Sequence, residues 1–284
     1  MVDFNQKMQL YFDLRGTPSS SRESYLRRAK AFTEYIEAKD KDLNETTIED
    51  IQQYILYLKK ERGLSTGTIN NYISSIRFFY THVLDKEWNK KKLPRMRRIQ
   101  KMLVIPPKQD VLAILEGTIN LKHKAILVLL YGSGLRVSEV ARLKICDICS
   151  KTMRVRVENA KHGTNRHTIL SDSALKILRA YFKAQITSYK SSDWLFPGQV
   201  QGEHINVKTI KNTLIKLRTR LKLDPNISAH TLRHCFAAHL LEDGTEPAII
   251  QQLLGHKSLS TTTGYYLHLT SKSMMGIKSP LDTK

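Results

Sequence analysis

The segment from Lys86 to Lys101, KEWNKKKLPRMRRIQK, cuts the sequence in two. It carries eight basic residues against one acidic, holds Pro94 and is followed by Pro106-Pro107, so neither a long helix nor a central strand runs through it. At roughly 100–200 residues per domain, a chain of 284 residues has room for a core on each side. The organisation expected is a first domain over residues 1–86, a basic linker over 87–106 and a second domain over 107–284. A Lys/Arg run between two patterned regions suits contact with a polyanion backbone; a solvated patch is the bland alternative.

Before the linker the period is that of a helix. Ile69, Tyr72, Ile73, Ile76, Phe79, Tyr80 and Val83 recur three and four apart, the stripe of an amphipathic helix. Ser20-x-x-Glu23 and Thr46-x-x-Glu49 have capping-box form ahead of the apolar-periodic stretches Tyr25 to Ile36 and Ile51 to Leu58. With a further helix near Phe4 to Leu14, a bundle of about four helices is expected. Beyond the linker, helices are expected at about 108–116, 122–131, 137–144, 172–187, 207–221, 229–241 and 247–253. Between them, Met153 to Leu170 reads as two short strands around a turn holding Lys161, His162, Gly163, Thr164 and Asn165. The fold class is therefore mainly α, with a small antiparallel sheet in the second domain and no period of 20–50 residues that would signal a repeat architecture.

Charge separates the parts further. Residues 1–85 carry 12 basic and 12 acidic groups and residues 102–284 carry 26 against 13, within a formal net charge of +20. Such an excess favours a polyanion, and a nucleic-acid backbone is the commonest one. Arg22, Arg27, Arg28 and Lys30 offer the neutral first domain one basic face, although a solvated charged helix accounts for them equally well. Lys90, Lys91, Lys92, Arg95, Arg97 and Arg98 in the linker, and Lys208, Lys211, Lys216, Arg218 and Arg220 near 207–221, are further candidates to meet phosphate. The longest apolar run, Ala125 to Tyr131, is far shorter than the ~20 residues that span a bilayer. No membrane association is expected. The opening MVDFNQKMQ lacks a basic segment followed by an apolar one, and three cysteines without framework spacing fit a reducing compartment, so the expected setting is cytoplasmic.

Several familiar motifs fail on their own requirements. Cys146-x-x-Cys149 has no second ligand pair to complete a structural zinc site. Gly132-x-Gly134 lacks a third glycine and a preceding strand, and no GxxxxGK[ST] is present for nucleotide phosphates. Carboxylates in the second domain are scattered rather than clustered, as metal nucleases require. Neither metal nor cofactor is expected.

What remains is Arg and His in places that packing explains poorly: Gly132-Ser-Gly-Leu-Arg136-Val-Ser-Glu139, Lys161 on the turn, His230-Thr-Leu-Arg233, and Leu254-Gly-His256, with Tyr265 nine residues further on. On a helix, the i,i+3 spacing puts His230 and Arg233 on one face. Each alone has an ordinary explanation as a solvated charge, a satisfied polar group or a half-buried ring. Together, GSGLRVSE, HTLRH, LLGHKSLSTTT and the following tyrosine resemble, in order and spacing, the tyrosine recombinase (phage integrase) superfamily in its two-domain Xer-like form. The resemblance covers essentially the whole chain. It implies a SAM-like core-binding helical domain, a linker and a catalytic domain, closing as a clamp on duplex DNA. By it, Arg136, Lys161, His230, Arg233 and His256 activate the phosphate, Tyr265 is the nucleophile and Glu139 supports the first arginine. Tyr266-Leu-His268 also fits the family's Tyr-x-His pattern, so Tyr266 is the second choice.

These residue types suit metal-free cleavage of a phosphodiester. Two guanidiniums can neutralise charge growing on the non-bridging oxygens through forked hydrogen bonds. A phenol with an ordinary pKa near 10 needs a proton acceptor, for which His230 is the choice, with His256 donating to the phosphate. The departing 5′-oxygen needs an acid, for which Lys161 is the candidate, with Arg166 nearby. The resemblance implies a 3′-phosphotyrosyl intermediate and specific recombination sites in double-stranded DNA. It also implies a synaptic tetramer coupled through the tail that holds Met274, Met275, Ile277 and Leu281. Family architecture points to dimer or plasmid resolution, or transposon cointegrate resolution, rather than phage integration. A type IB topoisomerase-like nicking and closing activity, and a DNA-binding protein with a degenerate site, are the alternatives.

Overall fold

The computed structural model describes residues 4–97, 105–158, 165–185 and 193–255. They fall into two units, Met1–Lys101 and Met102–Lys284.

The first unit packs four helices, α1 (Phe4–Leu14), α2 (Ser19–Glu37), α3 (Ile48–Lys60) and α4 (Thr66–His82). Their apolar stripes meet in a core rich in aromatic rings, including Phe12, Phe32, Tyr54 and Phe79. Each such ring contributes roughly 1.5–3 kcal/mol by leaving water. The expected caps shift. Helix α2 starts directly after Pro18, whose φ of −60° is already set for the turn, so Ser20 lies inside the helix. Helix α3 is capped by Thr47, whose Oγ1 accepts from the Asp50 N–H while Asp50 Oδ2 accepts from the Thr47 N–H at 2.7 Å. Thr46, the expected cap, is buried instead.

The expected linker is corrected in its first half. Leu93 is 3% exposed in the bundle core, and Trp88 and Met96 pack beside it. Gln52 on α3 donates to the Lys92 carbonyl at 2.8 Å. Buried Asn70 on α4 takes Met96 in a two-bond clasp, donating to its carbonyl and accepting from its N–H, each at 2.9 Å. Three apolar anchors among the lysines therefore dress residues 87–96 onto the bundle, whatever their charge and Pro94 suggest for the chain as a free connector.

The second unit is built around α6 (Leu121–Gly132), whose residues Ala125 to Leu130 are all buried. Around it lie α5 (Lys108–Glu116), α7 (Val137–Ala141), α8 (Asp172–Gln185), α9 (Val207–Arg220), α10 (Ala229–Glu242) and α11 (Pro247–Leu254). A three-stranded antiparallel sheet, β1 (Ile148–Cys149), β2 (Arg154–Val157) and β3 (Arg166–Ile169), pairs Val157 with Arg166 at the turn end of the hairpin. The expected pair of strands is present; β1, two residues long, is too short to show alternation. Helix α7 stops at Ala141, short of the expected 144. Among the described residues no helix is long and apolar enough to cross a membrane.

Candidate active site

The GSGLR turn enters α7 through a conformation that only glycine suits. Gly134 has φ +61°, and a Cβ there would lie 2.3 Å from the Phe236 ring on α10. This close approach brings the turn against α10, and the Gly134 carbonyl accepts from Arg233 Nη1 at 2.6 Å. Arg136 then stands at the N-cap of α7, and Glu139, three residues on, turns back to it. Glu139 Oε2 accepts from the Arg136 N–H at 2.8 Å and Oε1 from Arg136 Nη1 at 2.7 Å.

Arg233 comes from the buried face of α10, whose N-terminus is capped by Ser228 accepting from the Thr231 N–H. Its side chain is 2% exposed, among the least exposed of any large residue in the chain. Nη2 donates to the Leu254 carbonyl at 2.5 Å, and Nη1 lies 3.6 Å from Glu139 Oε2. Arg136 and Arg233, 97 positions apart in sequence, thus share one carboxylate. Arg136 keeps 24% of its side chain in solvent, so it remains open to a ligand.

Burial alone would raise the Glu139 pKa. Hydrogen bonds and charge from Arg166, then the Arg136 N–H and guanidinium, overcome that and hold it at about 2. The carboxylate is charged throughout the physiological range. His230 sits one turn before Arg233, its ring 4.4 Å from that of His234 in an edge-to-face pair. Its outer edge reaches solvent, but desolvation of the packed side, followed by the charges of Arg233 and Arg136, depresses its pKa. A neutral imidazole beside two guanidiniums can accept a proton at neutral pH.

The structure thus brings together Arg136, Glu139, His230 and Arg233. Lys161, His256, Tyr265 and Tyr266 lie outside the described residues, as does the tail. Their described neighbours are anchored on the same cluster: β3 begins five residues after Lys161, and Gly255, with φ +64°, ends α11 just before His256. Arg166, which the sequence offers only as a neighbour of the turn, is the residue that reading passed over. It donates to both oxygens of Glu139 and to the Leu253 carbonyl.

Two family models match this chain: the phage integrase family over residues 107–273 and the SAM-like N-terminal domain of phage integrases over residues 4–90. The chain belongs to the phage integrase family of tyrosine recombinases. This integrase-family chain is 35% identical over 283 residues to the putative integrase/recombinase y4qK of Sinorhizobium fredii, covering 99% of itself and 89% of the relative. It is 31% identical to the tyrosine recombinase XerA of Pyrococcus horikoshii, covering 96% and 91%. Among solved structures, XerH recombinase bound to a palindromic difH substrate aligns with a TM-score of 0.74 at 18% identity, covering 96% of this chain and 83% of that one. At that identity the likeness establishes the fold.

The candidate DNA-contacting residues of this recombinase divide by what already holds them. Arg22 is engaged at the α1–α2 corner, donating to Asp13 Oδ1 at 2.5 Å and to the Thr17 carbonyl at 2.6 Å. Arg28 lies over the Tyr72 ring at 5.9 Å, and Arg95 donates to Ser74 on α4 at 2.8 Å. Lys92 stands 3.8 Å from Glu49, a loose exposed pair. Arg27, Lys90, Lys91, Arg97, Lys208 and Lys211 are exposed. On α9, Arg218 and Arg220 donate to the carbonyls of Ile227 and Gly117, and Arg220 is exposed along with Lys208, Lys211 and Lys216. Arg98 is outside the described residues.

Proposed function

We propose that this chain, a site-specific tyrosine recombinase whose partner is DNA, cuts a strand by attack of Tyr265 on the scissile phosphate. Arg136 and Arg233 hold that phosphate, His230 takes the phenolic proton, His256 donates to a non-bridging oxygen and Lys161 protonates the departing 5′-oxygen. The products are a 3′-phosphotyrosyl linkage and a free 5′-hydroxyl, and a second 5′-hydroxyl reverses the step on the exchanged strand. The bond energy is kept in the phosphotyrosine, so the cycle uses no external energy source. The observation that carries this reading is the pairing of two guanidiniums on one buried, ionised carboxylate beside a neutral imidazole. Solvent-facing lysines and arginines of the bundle, of its basic segment and of α9 contact the sugar–phosphate backbone.

The reading extends to a synaptic tetramer coupled through the C-terminal tail. An apolar groove of about 450 Å³ on the second unit, with Leu112, Ile169, Ile177 and Leu240 in its walls, supports a seat for the tail's Met274, Met275, Ile277 and Leu281 from a neighbouring copy. Action in the cytoplasm agrees with three unpaired cysteines. Cointegrate or dimer resolution is the biological role proposed.

The test is covalent trapping. Duplexes selected by their binding to the Tyr265→Phe protein are nicked at successive positions and incubated with wild type, Tyr265→Phe and Tyr266→Phe proteins. An SDS-resistant adduct lost only with Tyr265→Phe supports the assignment; loss only with Tyr266→Phe moves the nucleophile by one residue. No adduct on a duplex that is bound would overturn the catalytic reading. Removing the residues after Lys272 is expected to abolish recombination while single-site binding survives.

A further inference from the structure

We infer that Arg166 is a positioning residue for catalysis: its guanidinium fixes Glu139, and through it Arg136, while tying the hairpin strand β3 to the end of α11. The inference rests on the proposed roles of Arg136 and Arg233, and it concerns a residue that would not itself touch the phosphate.

All three nitrogens of Arg166 are engaged. Nη1 and Nη2 donate to the two Glu139 oxygens at 2.9 and 2.7 Å, and Nε donates to the Leu253 carbonyl at 2.9 Å. The side chain is 8% exposed, so it is walled off from a substrate in a way that Arg136, at 24%, is not. Its stem lies under Gly255, where an added Cβ would stand 2.8 Å from Arg166 Cδ. One side chain therefore meets the start of the α7 motif through Glu139, the last turn of α11, and the glycine that leads to His256.

The charge count gives this geometry a chemical purpose. Three guanidiniums, those of Arg136, Arg166 and Arg233, converge on one carboxylate. Arg166 takes that carboxylate in the forked, two-bond geometry that matches it best. Arg136 is left bonded through a single Nη, with the rest of its fork and its charge available to an anion. Without Arg166, Glu139 would rotate toward Arg136 and draw down that charge, and a buried carboxylate with fewer partners would bind a proton more readily. Lysine cannot substitute, because one ammonium on a flexible stem cannot reach three acceptors in a plane.

The experiment uses the full-length protein and the nicked duplexes that trap the wild-type adduct. Arg166→Met, Arg166→Lys, Glu139→Gln and the Glu139→Gln/Arg166→Met double variant are compared for equilibrium DNA binding and for single-turnover adduct formation across pH. Binding is expected to stay within about twofold, while adduct formation by Arg166→Met falls about 10²-fold, the scale of a small misplacement of reacting groups. Arg166→Lys should not restore it. The double variant should be no slower than Glu139→Gln alone, because the two residues act as one unit. The acid limb of the Arg166→Met profile should lie at higher pH than that of wild type, and Glu139→Gln should abolish this displacement. If Arg166→Met does not fold, Arg166→Lys and the double variant carry the test. Wild-type cleavage by Arg166→Lys, or a double variant slowed by the product of the two single effects, overturns the inference. An adduct that persists in Tyr265→Phe and in Tyr266→Phe would instead fault the assignment of the nucleophile, a separate result.

Discussion

The two units of this recombinase place their charge in opposite ways. In the bundle the interior is aromatic and aliphatic, and its ion pairs lie at or near the surface, from the loose Lys92–Glu49 at 3.8 Å to the close, partly exposed Arg22–Asp13 and Lys41–Asp50. In the catalytic unit the tightest charges are inside, with Glu139, Arg166 and Arg233 each less than 10% exposed. A surface ion pair contributes about 0–1 kcal/mol and is screened by salt. A buried cluster is scarcely screened, and breaking it leaves a charge without a partner. The bundle is thus built to tolerate change at its surface charges and to suffer from change in its core; around Glu139 a change of charge falls on the candidate site itself.

Two substitutions would break this contrast most directly. Phe32→Ala on α2 should cost about 3–5 kcal/mol of stability in a denaturant melt, through the cavity it leaves, with the cleavage rate of folded protein unchanged. Arg136→Lys should slow adduct formation by about 10²–10³-fold, measured in a single turnover, with little change in the melt. Equal losses in both assays for either variant would erase the distinction. A smaller effect concerns pH. Because the His230 pKa is depressed, the imidazole stays neutral down to below its ordinary 6.5, so cleavage should persist there and fall only as the pH drops further. A rate profile in which His230→Ala keeps that limb would remove His230 as the base. The stability from ionised Glu139 has its own sign: with its pKa lowered from 4.5 to about 2, the contribution is complete above 4.5 and is lost as the pH falls toward 2. The smallest effect is at the surface. Replacing Lys90, Lys91 and Arg97 by Ala should flatten the dependence of log binding on log salt by about one unit per residue that meets phosphate, measured by titration in increasing salt.

The same contrast explains what could be read from the sequence. Helical limits came out closely where an apolar stripe defines them; α5 runs over Lys108–Glu116, the span its pattern suggests. Local signals failed where tertiary packing decided. Thr46 has the capping-box spacing but is buried, so its neighbour Thr47 caps α3 instead, and the lysine-rich segment looks free until Leu93 and Asn70 are seen to hold it. In the catalytic unit Arg136, Glu139, His230 and Arg233 stood out because short motifs carry them. Arg166 did not, since its meaning depends on a carboxylate 27 positions away and a carbonyl 87 positions away. The first residue of a strand beside a turn has no pattern of its own to announce that role.

The distances along the chain within this cluster have a consequence for biogenesis. Arg233 reaches a carbonyl 99 positions earlier, and the end of α11 must arrive before its last donors are satisfied. Contacts of such long sequence separation close late, after local helices have formed. A nascent or half-folded chain would already display its basic surface, yet it would lack the assembled cluster of Arg136, Glu139, Arg166 and Arg233. The arrangement around Glu139 is therefore withheld until α11 has been made.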